Sequence, residues 1–130
     1  MFLNVAAIFI GGGIGALLRY FISIGAKHLF ALPMLGTFSA NIIGCFIIGL
    51  LFGIAINKTD SLPQLLRLFL VVGILGSLTT FSTLNLEVFD FLRSGKFGLG
   101  ILYMSISCIV GLYFTYLGYQ SLNFYLKIFK

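Results

Sequence analysis

Charge is what this chain has least of. Of its 130 residues only 8% are Asp, Glu, Lys or Arg, with three acids against eight Lys and Arg. A soluble domain carries about a quarter of its residues charged, so a water-covered surface is excluded. Tryptophan is absent and proline occurs twice, at Pro33 and Pro63, which leaves few positions able to stop a helix. His28 is the single histidine, and the two cysteines, Cys45 and Cys108, lie inside separate apolar stretches. A disulfide framework and a Cys/His metal site are thereby excluded. There is no Ser/His/Asp set and no Gly-Lys-Ser/Thr phosphate loop, so no enzyme chemistry is expected. The net charge of +5 is dispersed at segment ends, where Lys and Arg meet lipid headgroups. A nucleic-acid surface is not expected.

What is present is apolar. Hydrophobic residues make up 60% of the chain, with fifteen Phe and six Tyr. A bilayer core about 30 Å thick takes about 20 residues of helix, and four such stretches can be marked out at about 2–24, 36–56, 65–92 and 97–126. Phe2 opens the first with no basic segment before it and no small-residue cleavage site after it, which predicts a permanent span rather than a signal peptide. The expected fold is an all-α integral membrane protein of four transmembrane helices forming a single domain. Its connectors are short, around Lys27 to Pro33, Asn57 to Asp60 and Arg93 to Lys96, so successive helices are antiparallel neighbours.

Orientation is undecided by charge. Lys58, Arg67, Lys127 and Lys130 fall on the side of the termini, while Arg19, Lys27, Arg93 and Lys96 fall on the other. Four against four gives no positive-inside bias. Such balance is either uninformative or the condition for a chain that inserts both ways. Small residues recur at helical spacing in Gly11/Gly15, Ala40/Gly44, Gly49/Gly53 and Ser107/Gly111. These let helix backbones approach closely, within one subunit or between two.

Polar residues at membrane depth carry the remaining information. Arg19 lies within the first span, either snorkelling to its end or forming an electropositive vestibule for anions. Asn41, early in the second, bonds a neighbouring helix or offers its two amide donors to an ion that has shed water. The densest cluster runs Gly73-Ile-Leu-Gly76-Ser-Leu-Thr79-Thr80-Phe81-Ser82-Thr83. Two glycines and four hydroxyls in five positions predict a third helix broken near its middle, since irregular backbone is tolerated only where protein or a cavity satisfies it. The alternative is a continuous helix with back-bonded hydroxyls. Glu87 follows one turn after Thr83, and Tyr103, Ser107 and Gly111 share a face of the fourth helix. With Ser82 and Thr83 they suggest a polar track.

Three segments together resemble the CrcB/Fluc family of fluoride channels. They are Gly11-Gly-Gly-Ile-Gly15-Ala-Leu-Leu-Arg19-Tyr20, Gly36-Thr-Phe-Ser-Ala-Asn41-Ile-Ile-Gly44, and Gly73 to Thr83 continuing to Glu87. Tyr103, Ser107 and Gly111 also fit the family's fourth helix. The resemblance implies a passive, fluoride-selective exporter working as an antiparallel, dual-topology homodimer in the cell membrane. It implies an anion path along Asn41 and Phe81, with Ser82, Thr83, Glu87, Tyr103 and Ser107 adjoining and Arg19 at the vestibule. It further implies a structural Na⁺ between subunits, held by the backbone carbonyls of Gly76 and Thr79. Oxygen-only ligands suit such a hard cation. One position departs from the pattern: Leu84 stands where the family usually carries a second Phe, which leaves open a reduced pore or pairing with a different subunit. The rival readings are a proton-coupled four-helix drug exporter and a non-conducting subunit. The first needs an acid in the first helix, which here holds Arg19 instead.

Overall fold

In an apolar solvent every backbone N–H and C=O must bond within the protein, and in the computed structural model the described residues are helical apart from short connectors and one interruption at Thr79 and Thr80. The structure describes residues 1–57 and 62–128. Lys58, Thr59, Asp60 and Lys130, used above to mark a connector or to count charge, lie outside the described residues. Helix α1 spans Phe2–Phe30 and α2 spans Met34–Asn57. The third span is composite: α3 (Gln64–Arg67), a π-helical stretch Leu68–Leu75, α4 (Gly76–Leu78) and then α5 (Phe81–Arg93). Helix α6 runs Phe97–Ile128. Four stretches, Phe2–Phe30, Met34–Ile56, Gln64–Arg93 and Phe97–Leu122, are long and apolar enough to cross a membrane.

The first span outruns its expected end near Ile24 by six residues, from 24 to Phe30. Apolarity bounds the membrane segment, but nothing from Gly25 to Phe30 stops a helix. Termination comes from Ala31, whose left-handed φ of 54° brings its N–H onto the Lys27 carbonyl, with Pro33 shortly after. Lys27 and His28 therefore lie on the last turn, where positive charge complements the free carbonyls. Arg19 stands eleven residues before Phe30, about 16 Å along the helix axis.

Packing is closest where glycines remove side chains. A Cβ on Gly11 would lie 2.5 Å from the Phe69 carbonyl oxygen, and one on Gly15 would collide with that of Ile74. Helix α1 thus rests directly on the π-helical backbone. Helices α2 and α6 form the most extensive pair, with Gly49 against the Thr115 carbonyl and Gly118 against that of Phe46. Between these pairs the third span changes partner. Its π stretch and α4 pack on α1, whereas α5 packs on α6 and α2. The change occurs at Thr79 and Thr80, whose backbones are extended (φ −81°, ψ 148° and φ −146°, ψ 111°). Ala40, Leu51, Leu75 and Leu78 form the small buried cluster beside it.

Candidate functional site

Two side chains occupy the backbone groups at this interruption. The Thr80 N–H donates to Asn41 Oδ1 at 2.7 Å, and Asn41 Nδ2 donates back to the Thr80 carbonyl at 3.3 Å. Asn41 therefore spans both edges of one residue, using its acceptor and one of its two N–H donors. Thr80 in turn caps α5, its Oγ1 accepting from the Thr83 N–H at 3.2 Å, the usual Ncap-to-N3 bond. The Thr80 hydroxyl also lies 2.9 Å from Thr83 Oγ1 and 3.3 Å from Ser82 Oγ. In an uninterrupted α-helix, the N–H groups of Thr80 and Thr83 would bond the carbonyls four residues back, those of Gly76 and Thr79. Both donors are diverted to side chains.

A second cluster lies toward the end of the membrane where α1 and α5 terminate and α2 and α6 begin. Glu87 accepts from Thr37 Oγ1 on one carboxylate oxygen and from the Tyr103 hydroxyl on the other, each at 2.7 Å. The same Tyr103 oxygen is 3.2 Å from the Met34 carbonyl. Helices α2, α5 and α6 are thus joined through one carboxylate. Beside it, Arg19, Tyr20, Ser23, Thr37, Thr80 and Thr83 line a crevice of about 440 Å³. Arg19 has no ion-pair partner among the described residues; the ion pair formed there, Asp90 with Arg93 at 3.8 Å, is exposed.

On the other side of the break, Asn41, Gly76, Thr79, Phe81, Leu84 and Ser107 share the lining of a cleft of about 430 Å³. Phe81 is 71% exposed, and Gly76 is exposed as well. Leu84 is buried. The Ser107 hydroxyl is buried and has no hydrogen-bond partner among the described residues. Thr80 borders the crevice and the cleft alike. The sequence profile described as CrcB-like protein, Camphor Resistance (CrcB), matches residues 6–119, a stretch that contains all of these side chains.

The chain belongs to the CrcB family. Its relatives include a protein named fluoride-specific ion channel FluC from Burkholderia pseudomallei strain 668, 41% identical over 118 residues and covering 91% of either chain. The protein of that name from Burkholderia thailandensis is 41% identical over the same share of both. That from Burkholderia lata is 44% identical over 98 residues, 75% of this chain and 76% of its own.

In this CrcB protein the residues singled out from sequence divide into three places. Asn41, Ser82 and Thr83 gather at Thr80, while Tyr103 bonds Glu87, which also accepts from Thr37. Ser107 makes no bond to either group and lines the cleft with Asn41, Phe81, Gly76 and Thr79. Glu87 bonds Thr37 and Tyr103 rather than the hydroxyl row at Thr83, because α5 leans on α2 and α6 and turns that face toward them. Tyr103 and Ser107, four apart, do not join Ser82 in one hydrogen-bonded chain. The two buried polar residues among those described, Thr37 and Thr80, carry no role read from sequence. Thr37 had a signal, since it precedes Asn41 by one helical turn and so shares its face. Thr80 was hidden among four hydroxyl residues of similar promise.

Proposed function

We propose that this CrcB protein is a passive, fluoride-selective channel that exports cytoplasmic fluoride, working as an antiparallel dimer with both copies in the membrane. Its role is transport, with no catalysis. The observation that carries this reading is Arg19, a cation at membrane depth without a carboxylate partner among the described residues, opening on Thr37, Thr80 and Thr83. Arg19 is half-buried on the crevice wall, where its charge attracts an anion, and hydroxyl donors around it favour a small anion over an organic cation. The curated relatives bearing the name fluoride-specific ion channel supply the ion.

In this mechanism Arg19 draws the anion into the crevice, and donors replace its water. Asn41 retains one amide N–H beyond the bond to Thr80. The exposed Phe81 ring offers its positively polarised edge. Ser82 and Thr83 supply hydroxyls, as does Ser107 from the cleft, and Tyr103 and Glu87 close the track toward the membrane face. No pump is required: about 100 mV, inside negative, gives roughly 2.3 kcal/mol per charge, or about fifty-fold expulsion.

A structural Na⁺ at the dimer centre fits the residues present. Gly76 and Thr79 would hold it through carbonyl oxygens whose helical donors are diverted to Asn41 and Thr80, a neutral all-oxygen set suited to a hard cation. Bound there, the ion supplies positive charge that ties two chains together. Fluoride efflux from liposomes holding only this protein, with chloride as control, tests the function. Fluoride release without chloride release establishes a self-sufficient channel. Silence from well-folded protein rejects the homodimer and directs the search to a different partner subunit.

A further inference from the structure

The break in the third span is costly to leave open. Two residues, Thr79 and Thr80, abandon helical geometry between two helical segments, and at membrane depth the freed groups must be satisfied by protein or by a cavity. A chain in this position closes into a helix unless its donors are held elsewhere. Four N–H groups, those of residues 80 to 83, would have to turn back to close it, and the first and last of them are held. Thr80 N–H is taken by Asn41 Oδ1 at 2.7 Å, and Thr83 N–H by Thr80 Oγ1 at 3.2 Å. A third bond acts in the same sense: the Thr79 hydroxyl donates to the Leu75 carbonyl at 2.8 Å and so turns away from the gap.

We propose that Asn41 and Thr80 together are a latch: positioning residues that hold the third span open by sequestering the N–H groups due to Gly76 and Thr79, so that those two carbonyls stay available to a cation. The latch builds on the cation site proposed above and adds what creates it. Asn41 sits on a different helix from the carbonyls it frees, so the state of the site depends on how α2 packs against the third span. Gly44, one turn beyond Asn41, lets the Thr79 methyl approach α2 where a Cβ would collide with it. Thr80 suits its part for a second reason. Its φ of −146° and ψ of 111° are extended values that a β-branched residue favours, and its side chain is buried.

The test uses the full chain in detergent with two readouts. One is the sodium concentration that gives half of the sodium-dependent rise in melting temperature. The other is the carbonyl carbon shift of Gly76, recorded without sodium in protein labelled with ¹³C-glycine and ¹⁵N-serine. Gly76-Ser77 is the sole Gly–Ser pair in the sequence, so a single resonance reports it. Asn41→Leu and Thr80→Val remove one arm each at nearly constant volume, and Thr80→Ser keeps the capping hydroxyl. We expect Asn41→Leu and Thr80→Val to raise the sodium midpoint about tenfold, the scale of one lost hydrogen bond to a group that then closes on the site. Thr80→Ser should stay within about threefold of the parent on the same grounds. The Gly76 carbon in Asn41→Leu should move, because Thr80 N–H turns onto it. An unmoved Gly76 resonance together with midpoints within about twofold of the parent overturns the latch. A parent whose melting temperature ignores sodium defeats the cation site instead, and the latch is then decided by the Gly76 resonance alone.

Discussion

The Ser107 hydroxyl is buried yet bonds to nothing among the described residues, a condition that costs a fold about 1–3 kcal/mol. Packing alone gives no reason to keep it. Ser107→Ala should therefore leave thermal stability unchanged or raise it by up to about 1 kcal/mol. If an anion uses that hydroxyl, fluoride flux in liposomes should still fall, by about tenfold for one lost charge-assisted bond. A fall in stability and flux together would make Ser107 a packing residue. Leu84 poses the complementary case. It is buried on the wall of the cleft, where there is room for a ring but no quadrupole to meet an anion. Leu84→Phe should preserve or raise flux, and a large loss would displace the anion path from that wall. At this scale the polar residues could be singled out from the sequence, because polarity inside apolar runs is conspicuous. Their pairing was not legible. Glu87 reaches Thr37 and Tyr103, fifty and sixteen positions away, and no spacing rule connects three helices before their packing is known.

Within the helices, glycine separates close approach from mere smallness. Gly15 meets the Ile74 carbonyl directly, whereas Gly13, two residues earlier on the same helix, has nothing within 4 Å of the place a Cβ would take. Gly15→Ala should cost about 1–3 kcal/mol, because the obstructing atom is backbone and α1 must move off the π stretch. Gly13→Ala should gain about 0.5–1 kcal/mol from helix propensity. Chemical denaturation in detergent reads both, and equal effects would mean that α1 does not bear on the third span as described. The sequence pointed to Gly11 and Gly15 as a packing pair, since four-residue spacing marks one face. It could not mark the π-helical stretch Leu68–Leu75, whose eight residues carry no periodic signal that distinguishes five-residue from four-residue bonding. Nor could apolarity alone end α1, because a helix does not stop where the membrane does. That end had to come from Ala31 and Pro33.

For the molecule as a whole, charge is nearly balanced between the two sides. The far side holds Arg19, Lys27, Arg93 and Lys96 against Lys58, Arg67, Lys127 and Lys130 on the side of the termini, and leaving out Arg19, which lies eleven residues inside the end of α1, makes it three against four. A difference of one is too small to fix an orientation. The single chain also exposes 8823 Å², where a compact soluble monomer of its 14.3 kDa would expose about 6,800 Å². The cleft at the break is open and Gly76 on its wall is exposed, a surface that an opposed copy would cover. Tags on the C-terminus should accordingly be found on both faces of the membrane. Two further lysines after the last helix should then collapse the population into one orientation, since added charge at a chain end is able to redirect a balanced topology. Fluoride flux from that variant alone should disappear, and mixing it with a second variant biased the opposite way should restore it. Full flux from a chain confined to one orientation would rule out the antiparallel dimer and require a pore built from parallel copies.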